Sequence, residues 1–244
     1  YVFRTRDFGS FLTNTENING FMIESTSLEY PSFGATDLRS PAIEFQFKDG
    51  TSATDLRYKC HNIYKGKNKL DNLPATYIEN DTEAETLEIT LIDSLKNVEV
   101  ILSYSVFEEF NAITRSVKVK NLSKEPVNIE RILSANFDFK DAKFDFIQLS
   151  GAWARERDFV RTPLRRGSQS IESRRGASSH AQNPFIALAR PDTNEHTGDI
   201  FGFSLVYSGN FLANIEVDMY ENSRVQIGIN PFDFKWLLES GEEF

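Results

Sequence analysis

The segment LSGAWARERDF, residues 149–159, combines one aromatic ring with several charged side chains. Trp153 follows a Gly-Ala pair and precedes the run Arg-Glu-Arg at residues 155–157. An indole ring can cover the apolar face of a sugar, while guanidinium and carboxylate groups pair with sugar hydroxyls. The same residues would also suit a subunit contact or a core position with a charged rim. The segment alone therefore leaves three interpretations open.

Two other segments carry weaker versions of this combination. Asp55, Arg57 and Tyr58 lie in one short run, and residues 207–211 read YSGNF. Aromatic residues are usually buried in the core of a protein rather than used for binding. We therefore expect these segments to serve the sheet or a subunit contact first, and a ligand second.

No catalytic, metal or cofactor site is predicted from residue types and spacing. His61, His180 and His196 lie far apart and have no neighbour at metal-ligand spacing. Cys60 precedes His61, but adjacent strand residues point to opposite faces, which argues against a nucleophile–base pair. No nucleophile elbow, P-loop or dinucleotide fingerprint is present. A pair of carboxylates for acid–base work cannot be chosen from spacing alone, so the residues favour a recognition module over a catalyst.

The composition restricts the partners and the compartment. The 244 residues include 36 acidic and 27 basic ones, a formal net charge of −9, which argues against nucleic-acid and anionic-membrane partners. A single cysteine forms no internal disulfide and suits a reducing compartment. No apolar run is long enough to span a bilayer, and no leader peptide is predicted. The chain begins at Tyr1 rather than Met, which leaves a preceding segment open. We expect a soluble, cytoplasmic protein.

Short alternating segments predict the fold. AIEFQFKDG alternates apolar and polar residues before an Asp-Gly turn, and LEITLI repeats the pattern. Similar segments, separated by Asn, Asp, Gly and Pro, continue to the carboxyl end without a linker. The pattern predicts an all-β protein: one domain, residues 1–244, folded as a large antiparallel two-sheet β-sandwich.

Residues 158–183 depart from this alternation. The segment is polar and basic in an acidic protein, with arginines at positions 161, 165, 166, 174 and 175. Arginine suits bidentate contacts with carboxylates, so we expect either an ordered interface loop, pairing with another subunit or domain, or a solvated loop.

Several long motifs resemble a known family. They are EYPSFGATDLRSPA, DLRYKCHNIYKGK, NLPATY, NAITRSVKVKN, LSGAWARERDF, SRRGASSHAQNPFIAL, GFSLVYSGNFLANIEVD and VQIGINPFDFKWLLESGEEF. In this order they resemble the amino-terminal domain of bacterial glycoside hydrolase family 36 α-galactosidases, over nearly the whole chain. The resemblance implies a β-supersandwich, followed after residue 244 by a (β/α)8 barrel and a small β domain. The family's catalytic aspartates lie on that barrel, so no catalytic residue is expected here and this portion alone should be inactive.

The resemblance also implies a site. Family members form tetramers in which this domain helps to wall a neighbour's active site, and two of its residues contact substrate. The matching positions are Asp7, in TRDFGSF, and Trp153, in GAWARER. Asp7 could instead stabilise a turn, and Trp153 could pack at a subunit contact without touching sugar. The opening YVFR and the following TRDFGSF resemble segments that a hairpin normally separates, which leaves open whether residues are missing between Arg4 and Thr5.

The function expected from this resemblance is the non-catalytic part of a retaining α-galactosidase acting on raffinose- or melibiose-type substrates, with a role in assembly and in the sugar pocket. Two alternatives remain open: an autonomous carbohydrate-binding module, and a purely structural oligomerisation domain. Saturable binding of raffinose to the isolated domain would favour the binding module. Disturbed assembly with an unchanged KM in Trp153→Ala would favour the oligomerisation domain.

Overall fold

The structure, a computed structural model, describes residues 27–35, 37–70, 74–178 and 180–244. These residues form fourteen strands whose pairings are antiparallel, which confirms the predicted all-β sandwich fold. The described residues divide into two compact units: the first comprises those up to 135 together with 234–244, and the second comprises those from 136 to 233. Asp7 and the junction between Arg4 and Thr5 lie outside the described residues.

The first unit contains a four-stranded sheet in the order β2-β3-β4-β5, and a second layer in which β1 and β14 pair with β6. The strands are β1 (Ile43–Phe47), β2 (Arg57–Lys65), β3 (Glu85–Asp93), β4 (Val98–Phe107), β5 (Ala112–Asn121), β6 (Val127–Phe139), which continues into the second unit, and β14 (Trp236–Leu238).

Alternation along the strands builds the core of the first unit. Ile43, Phe45 and Phe47 of β1 are buried, while Glu44 and Gln46 between them are half-buried. They pack in one cluster with apolar residues of the four-stranded sheet, such as those of β3 and β4. The edge strand β2 is exposed along almost its whole length. The sequence pattern therefore predicts this core correctly.

The second unit contains a four-stranded sheet in the order β11-β10-β7-β8, and a layer in which β13, β12 and β9 lie side by side. The strands are β7 (Asp145–Ala152), β8 (Arg155–Pro163), β9 (Gly167–Glu172), β10 (Gln182–Ala189), β11 (Ile200–Ser204), β12 (Phe211–Val217) and β13 (Ser223–Ile229).

The interior of the second unit holds polar groups as well as apolar ones. Arg224 of β13 is completely buried and forms a bidentate ion pair with Asp138 of β6, at 2.8 and 2.9 Å. Two residues after Arg224 in β13 and two before Asp138 in β6, Gln226 Nε2 donates to Asn136 Oδ1 at 2.9 Å. A buried charge is tolerated when it is paired and hydrogen-bonded, and this pair meets that condition.

The prediction of a loop over residues 158–183 is wrong. Most of the segment belongs to β8 and β9, with the connection to β10 forming the rest. β8 is the outer strand of its sheet, and β9 ends the order β13-β12-β9. Edge strands can expose both faces, so β8 needs no alternating apolar side chains and its sequence looks like a loop.

Candidate functional site

Trp153 lies at the tip of the hairpin formed by β7 and β8. Ala152 pairs with Arg155, which leaves Trp153 and Ala154 as a two-residue loop between the strands. The Trp153 side chain is 85% exposed, which rules out a core position within the described residues. Because most of the indole surface faces solvent, it is available to a ligand or to another protein surface.

Gly151 explains why the hairpin has this shape. A Cβ atom at this position would lie 2.5 Å from the carbonyl oxygen of Arg155 and 2.9 Å from the backbone nitrogen of Arg157. The two strands thus approach too closely for any side chain, and the pairing register shifts between Ser150 and Ala152. A bulge of this kind re-aims the residues that follow it.

Two non-glycine residues of the hairpin have left-handed backbone conformations. Ala154 has φ of 63° and Arg157 has φ of 62°. Such conformations cost free energy and persist where surrounding contacts hold them in place. The Ala154 nitrogen donates to Glu156 Oε1 at 3.0 Å, and the Gly151 nitrogen donates to the Ala181 carbonyl at 3.1 Å. These bonds hold the tip in one arrangement.

A depression of about 270 Å³ opens beside the hairpin. The segment before β10 and the first residues of β10 form one wall, and the start of β8 forms the other. The lining residues are Glu156, Arg157, Ser178, His180, Asn183 and Pro184. The site therefore brings an exposed indole, a carboxylate, a guanidinium, an imidazole and an amide into one small region of the second unit.

Most of this region was not predicted as a site. The sequence singled out Trp153, but His180 was considered only as a metal ligand and residues 178–184 only as part of a basic loop. The pairing of Gln182 with Ser150 brings that segment beside the hairpin. No local sequence pattern signals a pairing between residues so far apart in the chain.

The weaker candidate at residues 55–58 lies in the first unit, and its groups contact one another. Arg57 Nε donates to Asp55 Oδ2 at 2.7 Å, and Tyr58 Oη lies 2.5 Å from His61 Nδ1. This segment belongs to the first unit, whereas the Trp153 region belongs to the second. These side chains therefore form hydrogen bonds within β2 and the segment that precedes it.

The candidate at residues 207–211 is structural. Phe211 is completely buried in the second unit, and Asn210 Oδ1 accepts a hydrogen bond from the Gly176 nitrogen at 2.7 Å. A Cβ on Gly209 would lie 2.5 Å from the Tyr207 hydroxyl oxygen and 2.6 Å from its ring, so any larger residue would force the Tyr207 side chain to move.

Three of the five basic-segment arginines pair within the chain. Arg161 donates to Asp145 at 2.7 Å, Arg166 to Glu221 at 3.2 Å, and Arg174 lies 2.8 Å from Glu172. The Arg174 guanidinium also stacks 4.2 Å from the centre of the Phe232 ring. These three arginines therefore have carboxylate partners within the chain, rather than only in another subunit as was expected from the sequence.

The described residues contain no group of three His, Cys, Asp or Glu side chains arranged to hold a metal ion. Among the same residues, no helix is long and apolar enough to cross a membrane.

A family model matches almost the whole chain. The model of the glycosyl hydrolase family 36 N-terminal domain matches residues 4–239, and the chain belongs to this family. The resemblance inferred from the sequence motifs is confirmed.

Relatives of known name share the domain at high identity. Alpha-galactosidase AgaA of Geobacillus stearothermophilus is 54% identical over 224 residues, which are 92% of this chain and 31% of the relative. A solved structure of an AgaA variant in complex with stachyose has a TM-score of 0.89 at 55% identity, covering 91% of this chain and 31% of that one. Another variant, in complex with raffinose, gives the same values. The chain thus spans about a third of the length of these relatives.

Proposed function

We propose that this chain is the amino-terminal, non-catalytic part of a retaining α-galactosidase that acts on raffinose- or melibiose-type α-galactosides. The observation that carries the proposal is the Trp153 hairpin, which holds an 85% exposed indole in a strained, hydrogen-bonded turn. Membership of family 36, together with relatives solved with raffinose and stachyose, supports the substrate class.

In the proposed enzyme the bond-breaking chemistry belongs to a part of the protein beyond these residues. One carboxylate forms a covalent galactosyl intermediate, and a second carboxyl group first protonates the leaving oxygen and then activates water. The role of this chain is to complete the pocket of a neighbouring subunit in a tetramer. Asp7 accepts hydrogen bonds from sugar hydroxyls, and Trp153 covers an apolar sugar face at the outer rim.

A wall of this kind acts by orienting the substrate and excluding water, so its loss affects both KM and kcat. In the full-length protein, Trp153→Ala should lower kcat/KM for raffinose about 10–100-fold, which corresponds to roughly 1.4–2.7 kcal/mol of lost stabilisation. Steady-state kinetics measure the effect, and sedimentation checks that the variant keeps the assembly of the unaltered protein.

Phe159→Ala is the matched control. Phe159 is an exposed aromatic residue of β8 in the same hairpin, but it does not line the depression. This variant should keep kcat/KM within about twofold, because no sugar contact is removed. Unchanged kinetics for an intact Trp153→Ala assembly would reject the proposed contact.

The oligomerisation alternative is favoured by the same exposed aromatic residues, which suit a protein contact. It predicts that Trp153→Ala disrupts assembly while the KM of any surviving tetramer stays the same. The two functions are therefore separated by the same pair of measurements.

A further inference from the structure

We propose that the depression beside the Trp153 hairpin is a second sugar subsite, which binds the part of a longer α-galactoside that extends past the ring stacked on Trp153. This inference rests on the proposed function and adds a specificity role for Arg157 and His180. The ligand class is a neutral oligosaccharide of three or more residues, and the subsite contributes nothing to substrates with a single sugar.

The lining has the donors and acceptors that a neutral polyol needs. The guanidinium of Arg157 offers only donors, the carboxylate of Glu156 offers only acceptors, and the imidazole of His180 offers one or both. A site for an anion or a cation would present one sign of charge, whereas here the two adjacent charges oppose each other. Sugar hydroxyls both donate and accept, so they match this mixture.

The side chains have capacity left for a ligand. Arg157 forms no ion pair with the described part of the chain. Glu156 uses Oε1 to hold the Ala154 nitrogen, which orients the carboxylate without occupying its second oxygen. By contrast, Arg161 and Arg174 of the same basic segment pair with carboxylates of their own chain.

The depression is held open by bonds between its two walls. The Gly151 nitrogen donates to the Ala181 carbonyl at 3.1 Å, and β7 and β10 pair at Ser150 and Gln182. The left-handed conformation of Arg157 fixes the direction in which its side chain leaves the backbone. A preformed depression binds without paying the entropy of ordering loops.

The position relative to Trp153 fits a linked sugar. Glu156 and Arg157 follow Trp153 by three and four residues, a separation of at most roughly 10–14 Å along extended backbone and less across a turn. This is the scale of one or two linked pyranose rings. A sugar chain stacked on the indole can therefore continue into the depression.

The test uses the full-length protein and three substrates: p-nitrophenyl α-galactoside with one sugar, raffinose with three and stachyose with four. Arg157→Gly removes the side chain and tolerates the left-handed backbone. We expect KM for stachyose to rise about tenfold, with a smaller rise for raffinose, because charge-assisted hydrogen bonds are lost. KM for the aryl galactoside should stay within about twofold.

Arg155→Ala is the matched control, since Arg155 is exposed on the same hairpin and does not line the depression. It should leave all three substrates unchanged. His180→Ala alters the opposite wall and should repeat the selective loss for stachyose. If Arg157→Gly fails to fold, the results for His180→Ala alone test the subsite.

Equal changes for all three substrates, or no change for stachyose, would overturn the subsite while the proposed function stands. Failure of the unaltered protein to hydrolyse any of the three would overturn both. A loss for every substrate with Trp153→Ala, combined with a loss confined to the longer substrates with Arg157→Gly, is the result expected if both proposals hold.

Discussion

The two units of this protein bury ion pairs of different kinds. In the first unit, beside a cluster of aliphatic and aromatic side chains, buried Arg39 pairs at 2.9 Å with Asp37, two residues away in the chain. In the second unit, buried Arg224 pairs at 2.8 Å with Asp138, 86 residues away. A pair within one segment forms as that segment folds, whereas a distant buried pair requires two specific strands to meet.

The unit with the long-range buried ion pair also carries the candidate site. Gly151, Ala154 and Arg157 depart from regular strand geometry, and all three lie in the β7–β8 hairpin of the second unit. Local departures from sequence–structure consistency are expected at functional or strained positions. Under the proposed function, this hairpin is the part of the second unit that holds side chains for recognition.

The largest expected effect tests the buried ion pair. Arg224→Met leaves the Asp138 carboxylate in the interior without its guanidinium and should reduce the free energy of unfolding of the second unit by about 3–5 kcal/mol. Hydrogen exchange of the β12 and β13 amides measures the change. Arg174→Met, which removes an exposed arginine from a pair in the same unit, should cost less than about 1 kcal/mol. Equal costs would show that burial does not distinguish the two pairs.

A smaller effect concerns the first unit at high pH. Burial raises the pKa of Tyr30 well above its ordinary value of 10.0, although the charge of Arg115 opposes the shift. The folded state therefore keeps the Tyr30 proton when the unfolded state loses it, so stability is full below pH 10 and falls as the pH rises further.

Tyr30→Phe should make this alkaline loss shallower, because the titrating group is gone. At neutral pH the same variant should cost about 1 kcal/mol, since Tyr30 Oη no longer donates to the Leu133 carbonyl at 2.7 Å. Urea unfolding from pH 7 to 11 measures both effects. Tyr77→Phe, at an exposed tyrosine of the same unit, is the control. An unchanged pH slope for Tyr30→Phe would contradict the prediction.

Trp153 is expected to have the smallest effect on stability, although its substitution has the largest expected effect on activity. Trp153→Ala removes an exposed side chain and should change the free energy of unfolding of the second unit by less than about 0.5 kcal/mol. Phe211→Ala, at a buried aromatic residue of the same unit, should cost about 3–5 kcal/mol. Thermal unfolding compares the two. A large destabilisation by Trp153→Ala would mean that the indole packs against its own chain.

Several features were predictable because they depend on neighbouring residues. The alternation in AIEFQFKDG predicts β1, whose residues 43, 45 and 47 are buried as expected. Trp153 was singled out as a candidate from its charged neighbours, and it lies at the hairpin tip. The family was identified from long motifs that the chain shares with its relatives. Edge strands were the main failure, because β8 exposes both faces and lacks the alternation that identifies a strand.

The sequence by itself determined the all-β class, the strands with a buried face, the family and the prominence of Trp153. Only the tertiary structure decided that Arg224 is buried against Asp138, 86 residues away, and that residues 178–184 form one wall of a depression beside the hairpin. The reason is physical: alternation along a strand is a local property with a period of two residues. Which polar groups meet depends instead on the pairing of distant strands, and local patterns do not specify it.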